Sequence, residues 1–356
     1  MRWNRLFTHH PFFIRLFNWE YWSYNTIYGP VYIVFVWYCI RSGFKYFFSA
    51  SNPTIANGGL LMEQKHEIYP LIPDLYYPAC FLVKQGTDTA TIQQQIAQHQ
   101  FSFPLIAKPN IGMQGKAVKK VKNLEELLQY ARVCPVDFLV QQFSSYKNEV
   151  GIFYHRMPGS VKGIVTGIVA KEPMKVKGDG VSSLYQLICE VPRYILQMDQ
   201  LTQIYGEGLL KVLPKDEEMI LVPYGNHARG SKFLDWTDKI DETFTNSMDE
   251  ICKQINGFYY GRLDVMYDDW DDLRNGKNFH IIELNGAGAD PTHMYDPKHS
   301  LFFAWKEIVR HWTFLYRVSK ANHQSGIPYM SLKEGAAMFK ANAALVKKLN
   351  EFGEKI

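Results

Sequence analysis

The sequence predicts an α+β fold, and three observations carry that prediction. Apolar strand patterns and amphipathic helical patterns mix without the regular strand–helix–strand alternation of a doubly wound sheet. Residues 261–285 hold two strand patterns, GRLDVMYDDW and FHIIELN, each with acid or amide side chains on one face. Residues 103–121 read as a short apolar strand (FPLIAK), a glycine-containing loop and a second strand.

The chain has 356 residues, enough for two or three subdomains around a sizeable core. Hydrophobic residues make up 47% and charged residues 21%, a globular rather than a disordered composition. The net charge of +4 is mild and no basic stripe interleaves with aromatics, so nucleic acid is not an expected partner. Cys39, Cys80, Cys134, Cys189 and Cys252 are widely spaced and form no CxxC pair. Neither a disulfide framework nor a structural zinc is expected, and reduced thiols in the cytosol fit best.

Residues 1–50 are rich in Trp, Tyr and Phe and carry Arg2, Arg5, Arg15, Arg41 and Lys45. The apolar run Val31–Ile40 is far shorter than the ~20 residues of a membrane span. No signal-peptide pattern is present. Aromatics with basic residues suit an element lying in a membrane interface. They equally suit an aromatic core layer or a contact surface, such as a homodimer interface.

Asn52-Pro53 and Asn57-Gly58-Gly59 mark loops, and Pro70, Pro73 and Pro78 make 68–80 an extended connector. Thr89–His99 reads as a helix. The strand ending in Lys108 follows, then the loop with Gly112 and Gly115, then a strand over Ala117–Val121. Asn123 is placed to cap the next helix, with Glu126 in capping-box position. Strands are expected at 137–142, 149–156 and 161–170, a helix from Ser182 to Cys189, and a longer helix over 239–256. After the two acidic strands come helices near 298–316 and 331–352. The expected segmentation is an aromatic-rich region 1–75, a central body 76–320 divided near 142/143, and a helical tail 321–356.

Asp264 alternates with Leu263 and Val265, so its carboxylate faces away from them. Arg262 shares its face, and Glu283 and Asn285 share a face of the second strand. Antiparallel pairing through 268–278 would bring Asp264, Glu283 and Asn285 to one point. Hard oxygen ligands of this kind suit Mg2+ (or Mn2+), which completes its shell with water and phosphate oxygens. Lys108, at a strand end, is placed to offset phosphate charge, and the Gly112–Gly115 loop lets backbone N–H groups approach phosphate oxygens. The spacing is not that of a P-loop.

Together these pieces resemble the ATP-grasp superfamily of carboxylate–amine ligases over roughly residues 76–320. FPLIAKPNIGMQGKAVKKV matches the strand and phosphate lid of that family. The resemblance implies that Lys108, Gly112, Gln114 and Gly115 bind ATP phosphates. FLVQQF resembles the hinge strand whose backbone reads adenine, at Gln142 and Phe143, and Glu149 matches the ribose-binding glutamate. Gln141 and Gln142 depart from the Glu-Lys of D-alanine–D-alanine ligases. Arg262, Asp264, Glu283 and Asn285 match the arginine and Mg2+ ligands of the C-terminal strands. AKEPMKVKGDGVSSLYQLI resembles the GDG segment of cyanophycin and bifunctional glutathione synthetases, with Lys171 where an arginine is usual. YGNHARGSKFLDWTDKI resembles their Asn…Gly…Asp-x-Thr-Asp stretch and implies substrate contacts at Asn226 and Arg229. Gly288, Thr292 and His293 stand near the position of the product site of D-alanine–D-alanine ligases. Residues 1–75 do not resemble the Rossmann-like domain with which these ligases usually begin.

The resemblance implies an ATP- and Mg2+-dependent ligase that joins a small-molecule or peptide carboxylate to an amine through an acylphosphate. Arg262 and Lys171 would be catalytic, Arg262 at the oxyanion of the tetrahedral intermediate. A D-alanine–D-alanine ligase relative is a narrower version. A non-catalytic ATP-binding or docking protein on the same scaffold is the alternative from another class. The expected location is the cytoplasm, with residues 1–50 bringing the chain to the inner face of a membrane if they bind lipid.

Overall fold

The computed structural model describes residues 9–112, 115, 117–222, 225, 227 and 230–353. The strands are β1 (Cys80–Val83), β2 (Leu105–Pro109), β3 (Lys119–Val121), β4 (Phe138–Gln142), β5 (Asn148–His155), β6 (Ile164–Glu172), β7 (Met174–Lys177), β8 (Glu218–Val222), β9 (Lys232–Asp235), β10 (Tyr260–Tyr267) and β11 (Phe279–Asn285). The mixture of helices and antiparallel sheets is the expected α+β class. Two compact units emerge, each assembled from three segments rather than from one continuous stretch. One comprises the described residues up to Tyr32, Val169–Trp236 and Thr292–Ile308; the other comprises Ile33–Ile168, Thr237–Pro291 and the residues from Val309 on.

The larger unit contains the sheet β1-β4-β2-β3, antiparallel where β2 meets β3 and β4. Helices Thr89–Gln98 and Leu124–Val133 accompany it, and Phe81, Ile92, Leu105, Leu127, Tyr130 and Phe138 are among its core side chains. Asn123 caps the second helix through a bond from the Glu126 amide (2.9 Å). Glu126 does not return the bond to Asn123 as a capping box would; its carboxylate accepts from the Lys122 amide instead (2.8 Å).

A second sheet of the larger unit runs β11-β10-β5-β6. The aromatic N-terminal stretch beyond Ile33 packs into this unit. Phe47 and Phe48 are fully buried, in one cluster with Phe153, Tyr260, Leu315 and Tyr316. Tyr38 stacks on Tyr316 and Phe35 meets Trp312 edge-on. This part of the region is therefore an aromatic core layer. The opposite face of helix Tyr32–Arg41 stays in solvent, with Ile33 74% and Trp37 55% exposed.

In the smaller unit, Val169–Glu172 of β6 pair with β9, and β7 pairs with β8. The sequence patterns did not mark β7, β8 or β9: each is short, and β8 and β9 lack clean alternation. Met174, Leu184, Ile188, Leu201 and Leu221 form its core. Ser183, not Ser182, caps helix Leu184–Cys189, in a full capping box with Gln186. The Ser182 hydroxyl bonds Asp179 instead.

Candidate functional site

The site is built where β10 and β11 run side by side in the larger unit. Their register sets Arg262 opposite Asn285 and Asp264 opposite Glu283. Directly opposed residues share a face, so the four side chains gather on one side of the sheet. A β-bulge follows Asp264, shifting the pairing to Val265 opposite Ile281. The 268–278 connection is not a simple polar turn: it contains helix Trp270–Arg274, capped by Asp269.

Asp264 is only 3% exposed. Arg262 grips it with two bonds, Nε to Oδ1 (2.8 Å) and Nη2 to Oδ2 (3.1 Å), and donates from Nη1 to the Asp290 carbonyl (3.1 Å). The fork geometry of guanidinium suits this bidentate grip. Burial works against the Arg262 cation, but Asp264 beside it holds its pKa above the usual value. Asn285 Nδ2 lies 3.4 Å from Asp264 Oδ2.

Two largely buried lysines lie beside this cluster. Lys65 Nζ lies 2.9 Å from Glu283 Oε1 and donates to the Gly112 carbonyl (3.2 Å). Burial alone would lower its pKa, but Glu283, Glu63 and Asp264 together hold it above the ordinary value. Burial raises the pKa of Glu283, but Lys65, with a smaller pull from Lys108, holds it below the usual carboxylate value. Lys108 is 6% exposed. Its ammonium donates to Tyr69 Oη (2.6 Å), Gln141 Oε1 (2.7 Å) and the Ile282 carbonyl (3.2 Å). None of these partners is a carboxylate. Burial, and then repulsion from Lys65, push its pKa down to about 7.

Glu63, Lys65 and Tyr69 are site residues that sequence reasoning missed. Their only signal is a charged run after LLM, which ordinarily reads as a solvated loop. The Glu63 Oε2 atom is buried without a hydrogen-bond partner, and burial raises its pKa. The segment is fastened to the end of β2: Lys65 N donates to the Asn110 carbonyl (2.9 Å) and His66 N to Asn110 Oδ1 (3.0 Å). A cavity of about 10 Å3, lined by Glu63, Lys65, Tyr69 and Glu283, lies between this segment and β11. That is room for about one water.

The other expected residues fall in varied places. Glu149 sits opposite Met266 on β5, two positions along from the Gly151 that faces Asp264. Gln142 ends β4, and its amide donates to the Ala79 carbonyl (2.9 Å). Phe143 is half exposed, with the Lys120 ammonium 3.6 Å from its ring centre. Gly115 adopts a φ of 65°, the left-handed conformation that favours glycine. Gly288 is occupied by the fold: its amide bonds the Gly59 carbonyl (2.8 Å), and a Cβ there would lie 2.4 Å from the Leu60 oxygen. Lys171, Thr292 and His293 belong to the smaller unit. Lys171 is buried on β6 opposite Phe233. His293 is buried against Glu307 at 3.0 Å, and the Thr292 hydroxyl is buried with no partner. Gln114, Asn226 and Arg229 lie outside the described residues.

The donor set fits a small hard cation: two carboxylates and an amide on adjacent strands, with a cationic ammonium already seated on one of them. The chain is 27% identical over 173 residues to the glutathione biosynthesis bifunctional protein of Desulfotalea psychrophila, a match covering 44% of this chain and 21% of that protein. It is 26% identical over 213 residues to the cyanophycin synthetase of a Synechocystis species, covering 54% of this chain and 24% of that one. Its sequence relatives are glutathione-biosynthesis proteins and a cyanophycin synthetase. This agrees with the ATP-grasp resemblance of the motifs. The chain spans under a quarter of the length of these relatives. Among solved structures it is similar to the D-alanine–D-alanine ligase of Bacillus anthracis, at 13% identity and a TM-score of 0.41, covering 74% of this chain and 69% of that one. No family model matches the chain.

Proposed function

We propose that this chain is an ATP- and Mg2+-dependent ligase that joins a carboxylate to an amine. The observation that carries the reading is the cluster on β10 and β11: Arg262 and Asp264 facing Asn285 and Glu283 across one strand pair. Asp264, Glu283 and Asn285 would hold Mg2+ (or Mn2+), which neutralises phosphate charge when bound. Lys108, with Gly112, Gln114 and Gly115, would contact phosphates, and Gln142, Phe143 and Glu149 the nucleoside. Residues 76–320 would form the ATP-grasp body.

In the reaction, a substrate carboxylate oxygen bonds the γ-phosphorus as the bond to ADP breaks. The amine then attacks the acyl carbon, inorganic phosphate leaves, and the amine gives up a proton to yield the amide. Positioning and charge stabilisation do most of this work. Arg262 is placed to stabilise the oxyanion of the second step. Lys171, Asn226, Arg229, Thr292 and His293 are proposed as further contacts to phosphate or substrate. The substrates would be an amino acid, a peptide or another small acid with its amine partner, and a D-alanine–D-alanine ligase relative is the narrower form.

The experiment is ADP and phosphate release from Mg2+–ATP against pooled amino acids and small carboxylic acids. Release should need both a carboxylate and an amine, and should fall at least ~100-fold in Asp264→Ala and Lys108→Ala. Wild-type turnover in both variants would end the ligase reading. One observation favours the non-catalytic alternative: every proton of Lys108 already has a protein acceptor, as in a site kept shut. Nucleotide binding without turnover under any substrate pool would select it.

Among the described residues no helix is long and apolar enough to cross a membrane. We propose that the exposed face of helix Tyr32–Arg41, with Ile33, Val36, Trp37 and Ile40, gives a peripheral contact with the inner face of a membrane. Trp37→Ser with Ile33→Ser should cut co-sedimentation with anionic vesicles severalfold. Unchanged binding would point to a protein contact on that face, such as a homodimer.

A further inference from the structure

The acidic cluster does not stand open to solvent; it already holds a cation supplied by the chain. Lys65 Nζ sits 2.9 Å from Glu283, and its side chain is mostly buried. Glu63 brings a third carboxylate beside Lys65, with one buried oxygen that bonds nothing. Without Lys65, the carboxyls of Glu63, Asp264 and Glu283 would crowd one place with Arg262, on Asp264, as the cation bonded to them. Arg262 answers Asp264 with two bonds, and Lys65 is the cation that answers Glu283 at contact distance.

The same lysine is also a latch. Its second bond runs to the carbonyl of Gly112, at the entrance of the phosphate loop, and its amide bonds Asn110. The Lys65 side chain thus ties the glycine loop to the metal-ligand strand. We infer that Lys65 is a tethered cation that occupies the metal site between turnovers, keeps the carboxylates paired, and must withdraw from Glu283 when a divalent cation arrives with the nucleotide. This rests on the reading of Asp264, Glu283 and Asn285 as the metal ligands.

A tethered cation competes with a free one, so removing it should strengthen metal binding. A lysine that only braces the fold away from the carboxylates would not have this effect. The test is Mn2+ binding followed by electron paramagnetic resonance, in the full chain without nucleotide, for wild type, Lys65→Met, Lys65→Gln and Asp264→Ala. Melting curves confirm that each variant is folded. The expected result is about fivefold or more tighter Mn2+ binding in both Lys65 variants and loss of binding in Asp264→Ala. In wild type, Mn2+ with a non-hydrolysable ATP analogue should speed hydrogen exchange at the Lys65 and His66 amides, which bond Asn110 in the latched state.

If Asp264→Ala abolishes Mn2+ binding while both Lys65 variants bind as wild type or more weakly, the tethered-cation inference is overturned and the metal site stands. If Asp264→Ala binds Mn2+ as wild type does, or no form binds it, the metal reading fails and the inference goes with it.

Discussion

Lys65 and Lys108 both lie beside the acidic cluster, and their fates differ. The Lys65 side chain is 14% exposed and Lys108 is 6% exposed. Lys65 meets a carboxylate at 2.9 Å, whereas Lys108 meets a phenol, an amide and a backbone carbonyl. Formal negative charge lifts the pKa of Lys65 above its ordinary value, and neutral dipoles leave that of Lys108 near 7. Hydrogen bonds alone satisfy donors without repaying the desolvation of a charge. Lys65 is a paired cation at rest. Lys108 is an underpaired one, and a phosphate would supply the charge its protein partners lack.

The strongest way to break this comparison is to strand a charge. Arg262→Met should destabilise the protein by ~3–5 kcal/mol, because it leaves Asp264 buried without its guanidinium. Lys108→Met should cost much less, since no carboxylate is bonded to Lys108. Urea unfolding at pH 7 measures both. Equal losses would mean that the Lys108 network is worth as much as a formal ion pair.

A second test uses pH. The unfolded Lys108 titrates near 10.5 and the folded one near 7. Between those values the unfolded chain binds more protons, so the lysine lets stability rise with pH. Its penalty is fully present below about pH 7 and gone above about 10.5. Lys65 has the opposite sign: its raised pKa gives stability that is present at neutral pH and lost only at high pH. Lys108→Met should therefore gain stability relative to wild type as pH falls from 10 to 7, by at most about 1.4 kcal/mol per pH unit. A flat difference across that range would show that Lys108 stays charged in the fold.

How much of this could be read beforehand depends on sequence distance. Arg262, Asp264, Glu283 and Asn285 were legible because strand alternation places them and a short connection pairs them. The bulge after Asp264 was not, because it moves the register without changing the residue pattern. Lys65 was invisible for a different reason. Its partner Glu283 is far along the chain, and its own charged neighbours read as a solvated loop. Gly288 shows the same limit. It follows β11 and by resemblance reads as part of a product site, but its backbone amide bonds the Gly59 carbonyl and the Leu60 carbonyl leaves no room for a Cβ. The discontinuous compact units were likewise out of reach of a linear segmentation. Helices fared better, since caps and apolar stripes are local: Asn123 and its stripe mark Leu124–Val133 closely.

The smallest expected effect sharpens the comparison most, because it separates stability from function at Lys65. The Lys65–Glu283 pair is short, but the Glu283 side chain is 31% exposed. Once Lys65 is gone, that carboxylate can turn toward water, as Asp264 at 4% cannot. Pairs of this kind contribute about 1 kcal/mol or less. Lys65→Met should therefore lower the unfolding free energy by roughly that amount, well below the loss in Arg262→Met, while the Glu283 pKa moves up. Adding Glu283→Gln to Lys65→Met should cost nothing further, since the double variant leaves no charge unpaired there. A loss near that of Arg262→Met would make Lys65 a structural ion pair of the core. A small one leaves its charge free to be exchanged for another cation at little cost to the fold.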